Sequence, residues 1–164
     1  MNDKRQWITQ PQFTRLTQPL IGMPVSWTWR GYGSTVFLEF GKLSEKEKHR
    51  RNGSVHVSRR GKISAMIQVG WRVERPRSIA FGSDSGKTKI ENGLVKLRER
   101  HVVQVSIEGR LPEIVFELSG GYWLHSFINW AGQPDWCLFF NKGMDSRNWV
   151  SVRQGKLELT TEDN

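Results

Sequence analysis

Four histidines, one cysteine and sixteen carboxylates are the side chains of this 164-residue sequence with which acid–base, nucleophilic or metal chemistry could be built. His49, His56, His101 and His125 stand at no zinc spacing to one another, to the cysteine or to a carboxylate. His125 alternates with Trp123 and Phe127 on one strand face, which predicts a packed or hydrogen-bonded imidazole rather than a base with an orienting partner. Cys137 sits in the apolar run Trp-Cys-Leu-Phe-Phe at 136–140, where burial raises a thiol pKa and makes it a poor nucleophile. Ser126, beside His125, lacks the elbow glycines of a hydrolase serine. The heptapeptide Gly-Ser-Asp-Ser-Gly-Lys-Thr at 82–88 ends like a phosphate loop, but Gly82 is one residue too close and Phe81 stands where the first glycine is needed. Glu39 and Glu117 are a formal carboxylate pair for glycoside chemistry, yet outward glutamates on hairpins are ordinarily solvated. No catalytic constellation assembles, so the expectation is a non-enzyme without metal or cofactor.

Charge is the stronger signal. The formal net charge is +9, and it is concentrated in residues 1–101, while residues 102–164 carry a small acidic excess. The densest block, residues 42–62, holds Lys42, Lys46, Lys48, Arg50, Arg51, Arg59, Arg60 and Lys62 against Glu45 and Glu47. Such a block attracts polyanions by Coulomb attraction and counterion release, though charge runs are as often only solvated surface. It contains no aromatic residue and no RNP-like or helix-turn-helix pattern accompanies it, so nucleic-acid contact would be non-specific, through phosphates. Arg30, Tyr32, Arg72 and Arg77 could extend the same face.

These residues need elements to hold them, and the pattern is mostly period two. Val25, Trp27 and Trp29 alternate with polar residues, Gly31 to Ser34 turn the chain, and Val36, Leu38 and Phe40 alternate again, which predicts a hairpin. Ser44-x-x-Glu47 has capping-box form but no apolar stripe behind it, so the basic block reads as a loop there, while Ser54 to Ser58 alternate around Val55 and Val57. A strand from Ile63 puts Ala65, Ile67, Val69, Trp71 and Val73 on one face, with Gly70 marking a bulge or close approach, and a short strand follows at 79–81. One helix is predicted at 87–99, weakened by Gly93. Further strands follow at 102–108, 114–118, 122–129, 135–140, 148–152 and 156–160. Residues 1–19 read as a polar arm with one helical turn after Pro11, and 161–164 as a frayed tail. The expectation is one mainly β domain over 20–160, an antiparallel β-sandwich or partly open barrel.

A shift of 78 residues lays Val25, Trp27, Trp29, Gly31, Val36, Leu38, Glu39 and Phe40 on Val103, Val105, Ile107, Gly109, Ile114, Phe116, Glu117 and Leu118. It also lays Trp71 on Trp149 and Arg75 on Arg153. Two duplicated halves, 20–86 and 98–160, are one reading, and shared hairpin alternation is the other. If the halves are real, Trp27, Trp29, Trp71 and Trp149 belong to the core. Tyr122, Trp123, Phe127, Trp130 and Trp136 crowd 122–136, either as core of the second half or as an exposed surface with Trp130 as its anchor.

The segments Arg-Gly-Tyr-Gly-Ser at 30–34, Phe-Leu-Glu-Phe-Gly-Lys-Leu at 37–43, Gly-Arg-Leu-Pro-Glu at 109–113 and Trp-Val-Ser-Val-Arg-Gln-Gly-Lys-Leu at 149–157 resemble a family of uncharacterised bacterial mainly-β proteins. That resemblance implies no activity and no catalytic residue. In architecture alone the chain is also similar to toxin-immunity proteins.

The leading expectation is therefore a macromolecule-recognition domain that occludes an acidic protein partner in an immunity or adaptor role. Arg30, Tyr32, Arg50, Arg51, Arg59 and Arg60 would form its surface, with Trp130 as an anchor. The alternative is non-specific nucleic-acid binding through 42–62, and the third an enzyme of unrecognised type. No run is long and apolar enough for a membrane span, and the start Met-Asn-Asp-Lys-Arg-Gln has no signal core, so a cytoplasmic location is expected.

Overall fold

The computed structural model describes residues 3–68, 70–132 and 134–162. Its elements are β1 (Asp3–Ile8), α1 (Gln10–Thr17), a 3-10 turn (Gln18–Leu20), β2 (Val25–Arg30), β3 (Val36–Phe40), β4 (Ser44–His49), β5 (Val55–Arg60), β6 (Ile63–Ile67), β7 (Trp71–Arg75) and β8 (Ser78–Gly82). There follow α2 (Lys87–Leu97), β9 (Val102–Glu108), β10 (Glu113–Leu118), β11 (Tyr122–Ser126), β12 (Trp136–Asn141), β13 (Arg147–Arg153) and β14 (Lys156–Glu162). The protein is mainly β and every strand pairing is antiparallel. Sheet 1 runs β1-β14-β13-β12-β6-β3-β2, sheet 2 runs β8-β7-β11-β10-β9, and β4-β5 forms a separate ribbon. Neither large sheet closes into a barrel. Both contribute to one apolar core, in which Phe40 of β3 stacks on Phe116 of β10 at 5.5 Å. No helix of the described residues is long and apolar enough to cross a membrane.

The predicted helix is α2. Ile90, Gly93, Leu94 and Leu97 form its buried stripe. Gly93 is an intrinsically poor helix residue, but a Cβ there would meet the Phe81 ring at 2.5 Å. Close packing of helix on strand therefore requires it.

Three expectations change. Residues 3–17 are no arm: β1 pairs with β14 from Asp3 to Ile8, and α1 buries Phe13. The β1 side chains are largely exposed, so backbone pairing at a sheet edge holds the strand and no apolar alternation announces it. The helix starts from a Thr9–Gln12 capping box with Pro11 in the first turn. At the other end Thr161 and Glu162 belong to β14, and the Glu162 carboxylate accepts the Arg147 backbone N–H at 2.9 Å; 163–164 lie outside the described residues. The basic block is also not a loop, since 44–60 fold into the β4-β5 ribbon.

The strand read through from Ile63 to Val73 is two strands in different sheets. The chain crosses from sheet 1 to sheet 2 at Gly70, whose φ is +89° and where a Cβ would meet the Phe127 carbonyl oxygen at 2.6 Å. Val69, assigned to one face of that strand, lies outside the described residues. A second crossing, from β11 to β12, returns the chain to sheet 1.

The hydrogen bonds at these junctions come in matched pairs. Val25 N donates to Arg100 O at 2.7 Å, and Val102 N to Met23 O at 2.9 Å. Glu99 N donates to Val25 O, and Gly22 N to Val102 O, both at 2.8 Å; Gly22 and Glu99 both have positive φ. At the crossings, Phe127 N donates to Gly70 O and Gln68 N to Asp135 O. The Trp71 indole N–H donates to Ser34 O in the β2-β3 turn at 2.8 Å, and that of Trp136 to Pro112 O in the β9-β10 turn at 2.9 Å. Each indole meets a phenylalanine edge-on, Phe81 for Trp71 and Phe13 for Trp136. Trp136, not Trp149, thus has the environment of Trp71.

Candidate anion-binding groove

A bulge decides where the β2 tryptophans point. Val25 pairs with Phe40 and Trp27 with Glu39, leaving Ser26 as an extra residue. Past it the alternation is inverted: Val25 and Thr28 face the core, while Trp27 and Trp29 face out. The expected core placement therefore holds for Trp71 but not for Trp27, Trp29 or Trp149; Trp29 is 40% exposed. On the outer face Trp29 stacks on Phe37 with ring centres 3.8 Å apart and planes within 2°.

The β4-β5 ribbon brings its arginines to this aromatic face. Arg59 lies 4.6 Å and Arg98 3.5 Å from the centre of the Trp27 ring, and Arg147 lies 4.0 Å from that of Phe139. Arg59 also pairs with Glu45 at 2.8 Å, and Arg60 donates to the Met144 carbonyl. A two-stranded ribbon is marginal by itself; Arg59 on Trp27, Arg60 on the Met144 carbonyl and Lys46–Asp145 at 2.8 Å tie it to the body. Between ribbon and sheet lie cavities of about 290 and 630 Å³ that share Trp29, Ser58 and Arg59 as lining. They form one groove.

Glu39 lies at its floor. It was expected to be solvated and is instead 2% exposed. Its carboxylate accepts from the Trp29 indole at 3.2 Å, from Gly61 N at 2.8 Å and from the Ser64 hydroxyl. Asn141 donates in turn to Ser64 Oγ at 2.8 Å and to Gly61 O at 2.9 Å. A buried carboxylate with three donors is a fixed part of the scaffold. Glu117 lies on β10 in the other sheet, so the two glutamates form no catalytic pair.

Positive charge above this floor is crowded. Burial first, and then the neighbouring Arg59, push Arg98 below the ordinary guanidinium range. Burial first, and then Arg60, do the same at Arg147, against the opposing pull of Glu162, Cys137 and Glu39. Guanidinium groups stay charged under such pressure.

Of the residues selected from sequence, Arg30 and Arg59 line the larger cavity and Arg59 and Arg60 the smaller. Arg30 is held by Glu91 at 3.3 Å. Arg50 and Arg51 are exposed at the far end of the ribbon, and Tyr32, 99% exposed, tips the β2-β3 turn. Trp130 is half-exposed but lines a different cavity. Trp27, Trp29, Phe37, Phe139 and Arg147 were missed as groove residues, as was Arg98, which packs on the Trp27 ring while donating to Thr28.

Other candidate chemistry is structural. Cys137 is buried and its thiol is pushed up to about 12, by burial first, against the opposing charge of Arg147. Ser126 is fully buried and its oxygen accepts the Ile114 N–H. His125 stacks on Phe127 and lies 3.7 Å from Glu113. Among the described residues no group of three or more His, Cys, Asp or Glu could hold a metal ion. Compared with protein-family models, curated proteins and solved structures, the chain matches none.

Proposed function

We propose that the groove binds single-stranded nucleic acid without sequence preference. The observation that carries this reading is the packing of Arg59, Arg60, Arg98 and Arg147 around outward-facing Trp27, Trp29 and Phe37. Guanidinium groups take phosphates, and an exposed indole on a sheet face gives bases a surface to stack on. The sequence keeps basic and aromatic residues apart; the ribbon brings them together in space. Arg50, Arg51 and Tyr32 extend the cationic and aromatic surface. A cytoplasmic location belongs to this reading.

The test is fluorescence anisotropy of labelled oligo-dT and oligo-U at two salt concentrations, with polyglutamate as competitor. Binding falls steeply with salt, and Arg59→Ala with Arg60→Ala flattens that dependence. Trp29→Ala weakens binding about tenfold, within the ~1–3 kcal/mol of one stacked base. Polyglutamate competing as well as an oligonucleotide of equal charge would transfer the groove to an acidic protein partner. Absence of any binding at low salt would end the proposal.

We infer also that the chain is a duplication whose halves exchange strands. The matched junction hydrogen bonds support it. So does the bulge, which recurs in the β9-β10 hairpin with Val103 as the extra residue. On this reading the repeats begin before residue 20, because α1 and its 3-10 turn lead into β2 as α2 leads into β9.

A further inference from the structure

A cavity of about 650 Å³ lies beside the Trp136 corner and shares no lining residue with the arginine groove. Leu111, Ile128, Val152 and the half-exposed Trp130 give it apolar walls. Asn129, Arg153 and Gln154 are polar parts of its lining, and Asp135 is the buried one. The residue is 3% exposed, and among the described residues its Oδ1 has no hydrogen-bond partner. A buried carboxylate oxygen is ordinarily satisfied, because leaving it bare forfeits its hydration.

Arg153 also lines the cavity, but it is engaged by Glu158 at 3.4 Å. The remaining charged neighbours are mostly acidic. Glu113 of β10 spends one oxygen on the Ile128 N–H at 3.1 Å. Its other oxygen lies 3.7 Å from His125 of β11, and Glu108 of β9 lies 3.9 Å from the same imidazole. The site thus offers an unpartnered acceptor, acidic neighbours in Glu113 and Glu158, and an accessible indole face.

We propose that this cavity is a binding site for a small organic cation, an ammonium or guanidinium group on an apolar body. The N–H donors fill the open valence of Asp135, the charge lies against Trp130, and the apolar body covers Leu111 and Ile128. The Asp135 carboxyl is raised to about 6, by burial first and then by Glu113, against the opposing hydrogen bonds of its own backbone and the Trp130 side chain. Affinity is therefore full about a unit above pH 6, is halved near it, and falls further as the carboxylate takes up a proton below it.

Calorimetry with 2-phenylethylamine, at pH 7.5 and pH 5, tests this on the intact chain. Neutral 2-phenylethanol and anionic 3-phenylpropionate serve as isosteric controls, and a capped lysine-bearing tripeptide tells a free amine from a protein-borne cation. The amine binds at least tenfold tighter than either control, and loses about tenfold at pH 5. Asp135→Asn removes the preference for the cation and, because it relieves a bare carboxylate, leaves the fold intact by circular dichroism. Trp130→Ala weakens both ligands, the amine more than the alcohol, because only the amine sets its charge against the indole. Equal binding of amine and alcohol, or cation binding that survives Asp135→Asn in folded protein, would overturn the proposal. Tighter binding of the tripeptide than of the free amine keeps the site and assigns it to a peptide side chain.

Discussion

The β2-β3 and β9-β10 hairpins have the same backbone and opposite exteriors. Each carries a bulge in its first strand, each sends a turn carbonyl to a buried tryptophan, and each ends its second strand on a buried apolar residue, Phe40 or Leu118. Outward, the first presents Trp27, Trp29 and Phe37, and the second Gln104, Ser106 and Val115. The β4-β5 ribbon is inserted only after the first. What the hairpins share is what the core demands. What differs is the aromatic platform and the arginines above it, which the fold itself does not require.

The shared part makes the largest prediction. Trp71 and Trp136 are 2% and 1% exposed, so replacing either by alanine costs about 3–5 kcal/mol in denaturant unfolding. Phenylalanine at either position keeps much of the packing but leaves a carbonyl without its indole donor, at about 1–2 kcal/mol. A large cost at one corner and a negligible one at the other would break the equivalence.

The glutamates sharpen the difference. Glu39 satisfies three donors in a buried site, whereas Glu117 is only half-buried and faces Gln104 across the pair. Glu39→Gln places an amide against donors and costs about 2 kcal/mol, while Glu117→Gln stays within about 0.5 kcal/mol. Equal losses in thermal unfolding would mean that Glu39 is no more a part of the scaffold than its counterpart.

The sequence displayed most of the strands, the helix (read over 87–99, formed over 87–97) and the burial of Cys137, because each rests on local periodicity or an apolar run. It did not display the groove. A single extra residue, Ser26, turns Trp27 and Trp29 outward, and nothing in the alternation of Val25, Trp27 and Trp29 reveals it. Arg147, far from the basic block, reaches the groove only through sheet order, and Arg98 reaches the Trp27 ring only because α2 ends beside β2. The 78-residue shift matches β3 to β10 but sets β2 one residue out of step with β9, because each first strand carries a bulge, and it lays Trp71 on Trp149 where the sheet crossings match Trp71 to Trp136. β1 was illegible because main-chain pairing, not an apolar face, places it.

The two crossings differ as the hairpins do. At one, Phe127 N donates to the carbonyl of Gly70, where no side chain fits; at the other, Gln68 N donates to the carbonyl of Asp135, whose carboxyl is buried with one oxygen bare. The Asp135 pKa is about 6 in the folded chain, above its unfolded value, so the folded state holds the proton more tightly. Stability from this group is therefore highest at low pH, declines as pH rises from about 4 to 6, and is flat above. Asp135→Asn removes that decline. In urea titrations the variant matches the parent near pH 4 and exceeds it by about 1–2 kcal/mol at pH 7.5, less than a two-unit shift would give in full, because the cavity opens to solvent. A variant less stable than the parent at pH 7.5 would show that the carboxylate is satisfied in the folded chain, and the second crossing would then be as purely structural as the first.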